Sequence, residues 1–445
     1  MRQSKDYKRQ FKSSLLALSL ISLLALPGFF IHAQTAEDLQ NLQNKIRERD
    51  LSIDALEAEI AQYQKELNGL GRQKNSLSKS IKELDLTRKK LNADIAVTEK
   101  KIEKTNLKIG SLSDDIGDKQ ASIENNLDSI KLDIRKTNEL ETNNILEVML
   151  SESDFTLMWN EIDNIAAVRE NLLKHIDTLK QVKTGLEVDK AETEEAKAEL
   201  VRLKAKLSDN KKIVDQNTKE KNRLLSQTKN SETAYQKLLK EKLALKEALE
   251  KEIRDYESQL QFILDPSKLP EGGVLSWPLD NVFITQLFGR TVAAKRLYAS
   301  GSHSGVDFRA SVGTPIKAVA DGTVMGTGDT DLTCPGASMG KFVFVKHLNG
   351  LSTAYAHLSL IKAYEGEAVK RGQVIGYSGN TGHTTGPHLH LTVYAAQAAK
   401  MESRPSVACG GKTYRMPLAP INAYLDPMVY LPPYKGTVQN GGARD

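Results

Sequence analysis

The segment His388-Leu389-His390 follows a glycine-rich turn and precedes Leu391-Thr392-Val393-Tyr394, a run of strand formers. On a strand, residues i and i+2 share a face. His388 and His390 then point into one space, and Leu389 points the other way into a core. Two imidazoles so placed suit a metal ligand beside a catalytic base. Taken alone, the pair also reads as two surface histidines, and the other residues have to decide.

Six of the eight histidines fall in the carboxy-terminal part of the chain. His303-Ser304-Gly305-Val306-Asp307 sets a histidine and a carboxylate four apart, an even spacing compatible with one strand face. Ala354-Tyr355-Ala356-His357-Leu358 ends a strand-like run in a histidine. A single histidine at a strand end is ordinarily structural. His347, on a strand end, and His383, in the turn before His388, fall outside the set and read as non-catalytic. Tyr298 could donate to an oxyanion or be a surface tyrosine, and Asn380 serves a turn beside Gly379.

The segments Phe288-Gly289-Arg290, His303-x-Gly305-x-Asp307, Tyr355-Ala356-His357-Leu358, Gly376-Tyr377-Ser378-Gly379-Asn380-Thr381-Gly382 and Gly386-Pro387-His388-Leu389-His390 resemble, in order and spacing, the lysostaphin/LytM-type zinc endopeptidases. The resemblance spans about residues 272–400. It implies a compact antiparallel β-sheet domain with a groove, and hydrolysis of peptide bonds in peptidoglycan. Carried over residue by residue, it implies that His303, Asp307 and His390 bind one zinc ion (Zn2+), with His357 and His388 as the catalytic pair. The chemistry agrees. Three nitrogen and oxygen ligands leave a fourth position for water, whose pKa zinc lowers toward about 7. A neighbouring neutral histidine can take the proton. A second, or the same one protonated, can stabilise the oxyanion or protonate the leaving amine.

The elements that must hold these groups are short. Strand-like runs at 282–287, 305–309, 315–318, 322–326, 342–346, 351–356, 374–378 and 390–394 are mostly separated by glycine turns, with no helical period between them. This predicts an all-β domain over 276–435, entered through a Pro/Gly linker at 266–275 and followed by a tail at 436–445. An inserted segment, Asp329 to Met339, and the region after Ser403 depart from the resemblance.

Residues 34–265 carry a different period. From Leu39 to Ile116 apolar residues recur at alternating spacings of three and four, with 18 of 23 register positions apolar. This is a coiled-coil signature. Gly69, Gly71 and Gly110 weaken the helix locally. The pattern changes near 140–160, around Trp159, where short helices forming a tip or elbow are expected. It resumes from Leu172 to Leu264. Two stretches of roughly 100 residues suggest an antiparallel hairpin with arms of about 150 Å. Intermolecular coiled coils, and so self-association, are the other reading.

Residues 1–33 combine a basic start (Arg2, Lys5, Lys8, Arg9 and Lys12 against Asp6) with an apolar run from Leu15 to Phe30, and Ala33 suits a cleavage site. This reads as a signal peptide or an amino-terminal anchor. Either places the bulk outside the cytoplasm, in the periplasm, cell envelope or medium. The net charge of +5 is mostly in this leader, leaving 57 basic against 56 acidic residues, which gives no support to nucleic-acid binding. Cys334 and Cys409 are the two cysteines. In an exported chain they suggest one disulfide tying a loop to the late segment, with free thiols or metal ligands as alternatives.

A coiled-coil rod before such a β domain also resembles septal cell-wall hydrolase regulators. That implies docking of the rod on a membrane ABC-type transporter complex and a role in cell division. It also supplies the rival reading: a non-enzymatic activator of a separate cell-wall amidase. A structural rod with a wall-binding domain is a third. With all five site residues present, a peptidoglycan endopeptidase is the reading favoured, its rod positioning and restraining it.

Overall fold

The computed structural model describes residues 36–70, 76–142, 155–260, 264–291, 294, 301–384, 386–436 and 438. The three-four spacing is realised as helices α1 (Ala36–Leu70), α2 (Leu77–Thr142), α3 (Phe155–Thr228) and α4 (Glu232–Gln259). α2 and α3 run antiparallel, as the cross-pairs Lys221–Asp85 at 2.6 Å, Lys211–Glu99 at 3.1 Å and Lys108–Glu192 at 3.3 Å show. Leu91, Leu112, Leu186, Leu203 and Ile213 are buried along these helices. The hairpin is therefore made within one chain. Among the described residues no helix is long and apolar enough to cross a membrane.

The periodicity hid two breaks. The register from Leu39 to Ile116 is not one helix: α1 ends at Leu70 and folds back along α2, pairing Arg49 with Glu103 at 2.7 Å and Lys101 with Glu57 at 2.9 Å. Gly69 sits at this end, where its poor helix propensity tells. Ser76 caps α2 by accepting from the Lys79 backbone N–H at 3.2 Å. The second break is at Lys229 and Asn230, both left-handed (φ 47° and 58°), after which Ser231 caps α4. With 66 and 74 residues, α2 and α3 reach about 100 Å, shorter than the expected arms. The expected tip near Trp159 falls, at 143–154, outside the described residues, as do the leader and Tyr298.

The carboxy-terminal part is built from fourteen short strands: β1 (Ile284–Gln286), β2 (Gly289–Arg290), β3 (Ser302–His303), β4 (Val306–Arg309), β5 (Pro315–Lys317), β6 (Gly322–Asp329), β7 (Lys341–His347), β8 (Leu351–Ile361), β9 (Ala368–Val369), β10 (Val374–Ser378), β11 (His388–Ala395), β12 (Lys400–Pro405), β13 (Thr413–Leu418) and β14 (Tyr424–Leu425). Ten form an antiparallel sheet with the path β1-β4-β11-β8-β7-β6-β9, and β12 pairs with β13 as a separate hairpin. One sheet face carries the main core, including Val306, Phe308, Val343, Tyr355, Leu389, Leu391 and Val393. The other face carries Phe344, Ala354, Ala356 and Tyr394, covered by β13, the 419–423 turn and α4. Both faces are thus buried, and β7 accordingly carries Phe342, Val343, Phe344 and Val345 in succession rather than a clean alternation. The linker expected at 266–275 packs onto this domain from Leu269: the Leu275 N–H donates to Tyr430 O at 2.8 Å, and Leu275 is buried.

Candidate active site

β11 runs beside β4 and β8, with His390 opposite both Asp307 and Ala356. His388, His390 and Thr392 share one face, and Leu389 lies in the main core, as the i, i+2 rule requires. The segment from His303 to Asp307 is not one strand, contrary to the even-spacing reading. His303 closes β3 and Asp307 lies in β4, with a bend at Ser304-Gly305 between them. A Cβ on Gly305 would stand 2.3 Å from Leu391 O and 2.9 Å from His390 Nε2. Glycine there lets the bend press against β11, which brings the two side chains together.

His357 does not end its strand; β8 continues to Ile361. Up to Tyr355 the odd residues of β8 face the main core, yet Leu358 also belongs to it. The alternation switches because β8 carries an extra residue: Lys341 pairs with Leu358 but Val343 with Tyr355. His357, with φ at 62°, sits in that bulge. A bulge re-aims a side chain, and this one delivers an imidazole to the site face while returning Leu358 to the core.

Five groups converge. Asp307 Oδ1 lies 2.8 Å from His390 Nδ1 and 3.3 Å from His303 Nε2, and those two nitrogens are 3.0 Å apart. The backbone carbonyls fix the tautomers. His303 Nδ1 donates to Leu287 O at 3.0 Å, leaving Nε2 as a lone pair that faces Asp307 and His390. His390 Nε2 meets Thr392 Oγ1 at 2.9 Å, which turns Nδ1 inward. The separations are near the ~3.3 Å edge of a tetrahedron whose centre-to-ligand distance is about 2.0–2.1 Å. His303, Asp307 and His390 are all buried and form a group that could hold a metal ion. The outer partners Leu287 O and Thr392 Oγ1 orient the ligands as such partners commonly do. Thr392, two residues beyond His390, was legible as sharing its face; the carbonyl of Leu287 had no sequence signal.

The remaining two histidines lie alongside. The His357 ring centroid is 4.7 Å from that of His388 and 5.9 Å from that of His390. His357 Nδ1 donates to Thr381 O at 2.9 Å, and His388 Nδ1 donates to Gly386 O at 2.8 Å, so each ring keeps an Nε2 lone pair. Burial, with the neighbouring His388 and His390 rings, holds His357 well below the usual histidine range. Burial lowers His390 too, opposed by Asp307. For Asp307 burial raises the carboxyl, but the neighbouring His303, His388 and His390 outweigh it, keeping it well below the usual value. The centre is an ionised carboxylate beside two imidazoles, His357 and His390, that are held below the usual histidine range.

His347 is elsewhere. Its Nδ1 meets Asp321 O at 3.1 Å and its Nε2 meets Thr353 Oγ1 at 2.8 Å, and burial lowers it to about 4. His383 lies in the 380–387 turn at the groove mouth, lowered to about 3 by burial, with Lys246 and His388 adding to it. Cys334 and Cys409 are joined in a disulfide that ties the inserted segment to the β12–β13 turn.

The helices lie over this mouth. A cavity of ≈ 230 Å³ separates Asn380, His383, Thr384 and Pro387 from Glu83 and Thr87 of α2, Asn217 of α3 and Lys242 of α4. Lys246 of α4 is buried beside Glu250 at 3.4 Å; burial lowers it, opposed chiefly by Glu250 and in small part by Asp307.

Residues 301–402 match the family model of Peptidase family M23. Over 88 residues the chain is 44% identical to the DD-carboxypeptidase/endopeptidase Mpg of Neisseria meningitidis, a match covering 20% of this chain and 19% of that protein. It is also 44% identical over 88 residues to the peptidoglycan DD-endopeptidase ShyA of Vibrio cholerae, with the same two coverages. The chain thus spans about a fifth of the length of these relatives. Among solved structures, the catalytic domain of the peptidase lysostaphin from Staphylococcus simulans aligns at 27% identity, covering 34% of this chain and 91% of that one, with a TM-score of 0.25. The part of the chain that carries His303, Asp307, His357, His388 and His390 is a domain of Peptidase family M23.

Proposed function

We propose that the chain is a zinc-dependent endopeptidase that cleaves peptide bonds in peptidoglycan. The observation that carries this reading is the convergence of His303, Asp307 and His390 on one point, with two further imidazoles beside it. The donor set, two imidazoles and a carboxylate at tetrahedral-edge spacing, suits zinc, one ion per domain. When bound, zinc supplies a Lewis acid that acidifies water and polarises a peptide carbonyl. His357 is buried and neutral, with Nδ1 anchored, so its Nε2 is placed to take a proton. His388, less buried, is placed to stabilise the developing oxyanion or to protonate the leaving amine. The names of the relatives support peptidoglycan as the substrate.

The leader supports an exported chain, and the helical hairpin supports a coiled-coil rod that docks on a membrane ABC-type transporter complex during wall remodelling or division. The cover of helices over the groove supports the restraint of the site by that rod.

The test is metal analysis of purified residues 34–445, followed by mass spectrometry of muropeptides released from peptidoglycan with and without chelator. One zinc per chain and chelator-sensitive peptide scission are expected. A metal-free protein that leaves peptidoglycan uncut yet stimulates a separate amidase would show the activator reading to be the right one.

A further inference from the structure

The segment between β6 and β7 holds none of the five groups, yet it bonds the His357 backbone and packs on the residue whose carbonyl the His357 ring meets. We propose that this segment, 330–340, is a strap that sets the orientation and tautomer of His357, and that Asp331 is its positioning residue. The inference rests on the reading of His357 as a catalytic group.

The Asp331 carboxylate lies in the 3-10 turn Thr330–Leu332, and both its oxygens accept from backbone. Oδ1 takes the Gly336 N–H at 2.6 Å, curling the strap. Oδ2 takes the Gly382 N–H at 2.8 Å, joining the strap to the groove wall. The two backbones touch. A Cβ on Gly340 would stand 2.3 Å from the Thr381 carbonyl carbon, and one on Gly382 would stand 2.2 Å from Gly340 N. Both glycines have positive φ (62° and 69°), so no other residue fits either position without strain.

Thr381, clamped in this way, is the partner of His357. Its Oγ1 accepts from the Lys341 N–H at 3.0 Å and donates to Leu358 O at 2.7 Å. Its carbonyl receives the His357 Nδ1 proton. The strap also holds the histidine's own backbone, since the His357 N–H donates to Met339 O at 2.9 Å. His357 occupies a left-handed conformation (φ 62°) that strains a non-glycine residue, and such a conformation persists only where its surroundings over-determine it. The strap supplies that determination. Without the Thr381 carbonyl in place, the imidazole is free to turn or to carry its proton on Nε2, where it could not accept another.

The experiment uses residues 34–445 loaded with zinc, as wild type, D331N and T381V. An asparagine amide cannot accept both N–H groups, and valine removes the Thr381 hydroxyl at nearly constant shape. Nitrogen-15 spectra of the histidine side chains, which need no turnover, report the His357 tautomer. Kinetics on muropeptides report kcat and KM, with metal content and circular dichroism alongside. We expect each variant to keep one zinc and its KM, to shift the His357 signals away from a fixed Nδ1–H, and to lose kcat by roughly tenfold to a hundredfold. Should D331N fail to fold, T381V reads the same strap. Unchanged His357 signals and kcat in the folded variants would overturn the proposal, leaving Asp331 a turn-capping residue. Should H357A cut as fast as wild type, the catalytic reading of His357 fails, and the strap's role falls with it.

Discussion

At His303, Asp307 and His390 two imidazole nitrogens and a carboxylate oxygen lie within 3.3 Å of one another, a donor set that could hold a metal ion. Their neighbours His357 and His388, like His303, commit Nδ1 to a carbonyl, but they stand outside the three-residue group, His388 Nε2 at 3.6 Å from Asp307 Oδ1. This division predicts distinct losses. His303→Ala removes a ligand whose imidazole is buried, so metal and activity should both be lost. His357→Ala leaves the three donors in place, so metal stoichiometry should persist while kcat falls by about 10²–10⁴. Metal analysis of the two variants beside their rates checks this; equal metal loss in both would contradict the division. The residue types were legible in the sequence because their chemistry is rare and their order specific. How they meet was not. The bulge at His357 is a register event between β7, β8 and β10, and the bend at Gly305 answers to the backbone of β11. Both are set by partners distant in sequence.

Among the elements, α4 decides how the helices sit on the sheet. Leu249 and Ile253 pack with Phe342, Ala356, Tyr414 and Met416, and Glu252 accepts from Ser406 Oγ at 2.9 Å and from the Ala408 N–H at 3.1 Å. One turn further, Glu257 accepts from Tyr424 Oη at 2.7 Å and from the Ala419 N–H at 3.2 Å. Burial raises its carboxyl to about 7, against the opposing pull of those two bonds. A carboxyl whose folded pKa lies above its unfolded value stabilises the fold fully below the unfolded value, and that stability is lost as pH rises through the folded value. Between about pH 4.5 and 7 the contribution should fall by about 3 kcal/mol. The free energy of amide exchange along α4, corrected for the intrinsic rise of exchange with pH, should therefore fall from pH 5 to pH 8, and Glu257→Gln should flatten the trend. An α4 whose exchange free energy ignores pH would refute this role for Glu257. The long periodic helices and eight of the strands were legible, since each repeats a pattern over several residues. The two-residue strands β2, β3, β9 and β14 have no period to read, β12 and β13 lie in the region that departs from the resemblance, and the α1–α2 break hid inside a heptad register that continues across it.

For the whole molecule, the question is whether the hairpin holds the domain's groove shut. Its base grips the domain at two places besides α4. Lys90 of α2 donates to Ser311 Oγ at 3.0 Å. The buried Asp209 of α3 takes Lys362 Nζ at 2.7 Å and Tyr377 Oη at 3.0 Å. Cutting the chain at residue 272 would remove all of these, but it would also strip Leu249 and Ile253 from a shared apolar cluster, so a faster or slower fragment would mix release with damage. A point change separates the two. Asp209→Ala removes the shared acceptor while touching none of the five site groups. Lys362 is about a third exposed, so water offsets part of the loss, and the docked state should weaken by about 1–2 kcal/mol. If a restrained site is in equilibrium with a released one, that is roughly a five- to thirtyfold rise in the released fraction. Peptidoglycan cleavage by residues 34–445 should then rise severalfold with metal content unchanged. An Asp209→Ala chain that cuts at the wild-type rate, yet shows faster exchange at the α3 contact, would mean that the helices rest on the domain without governing it.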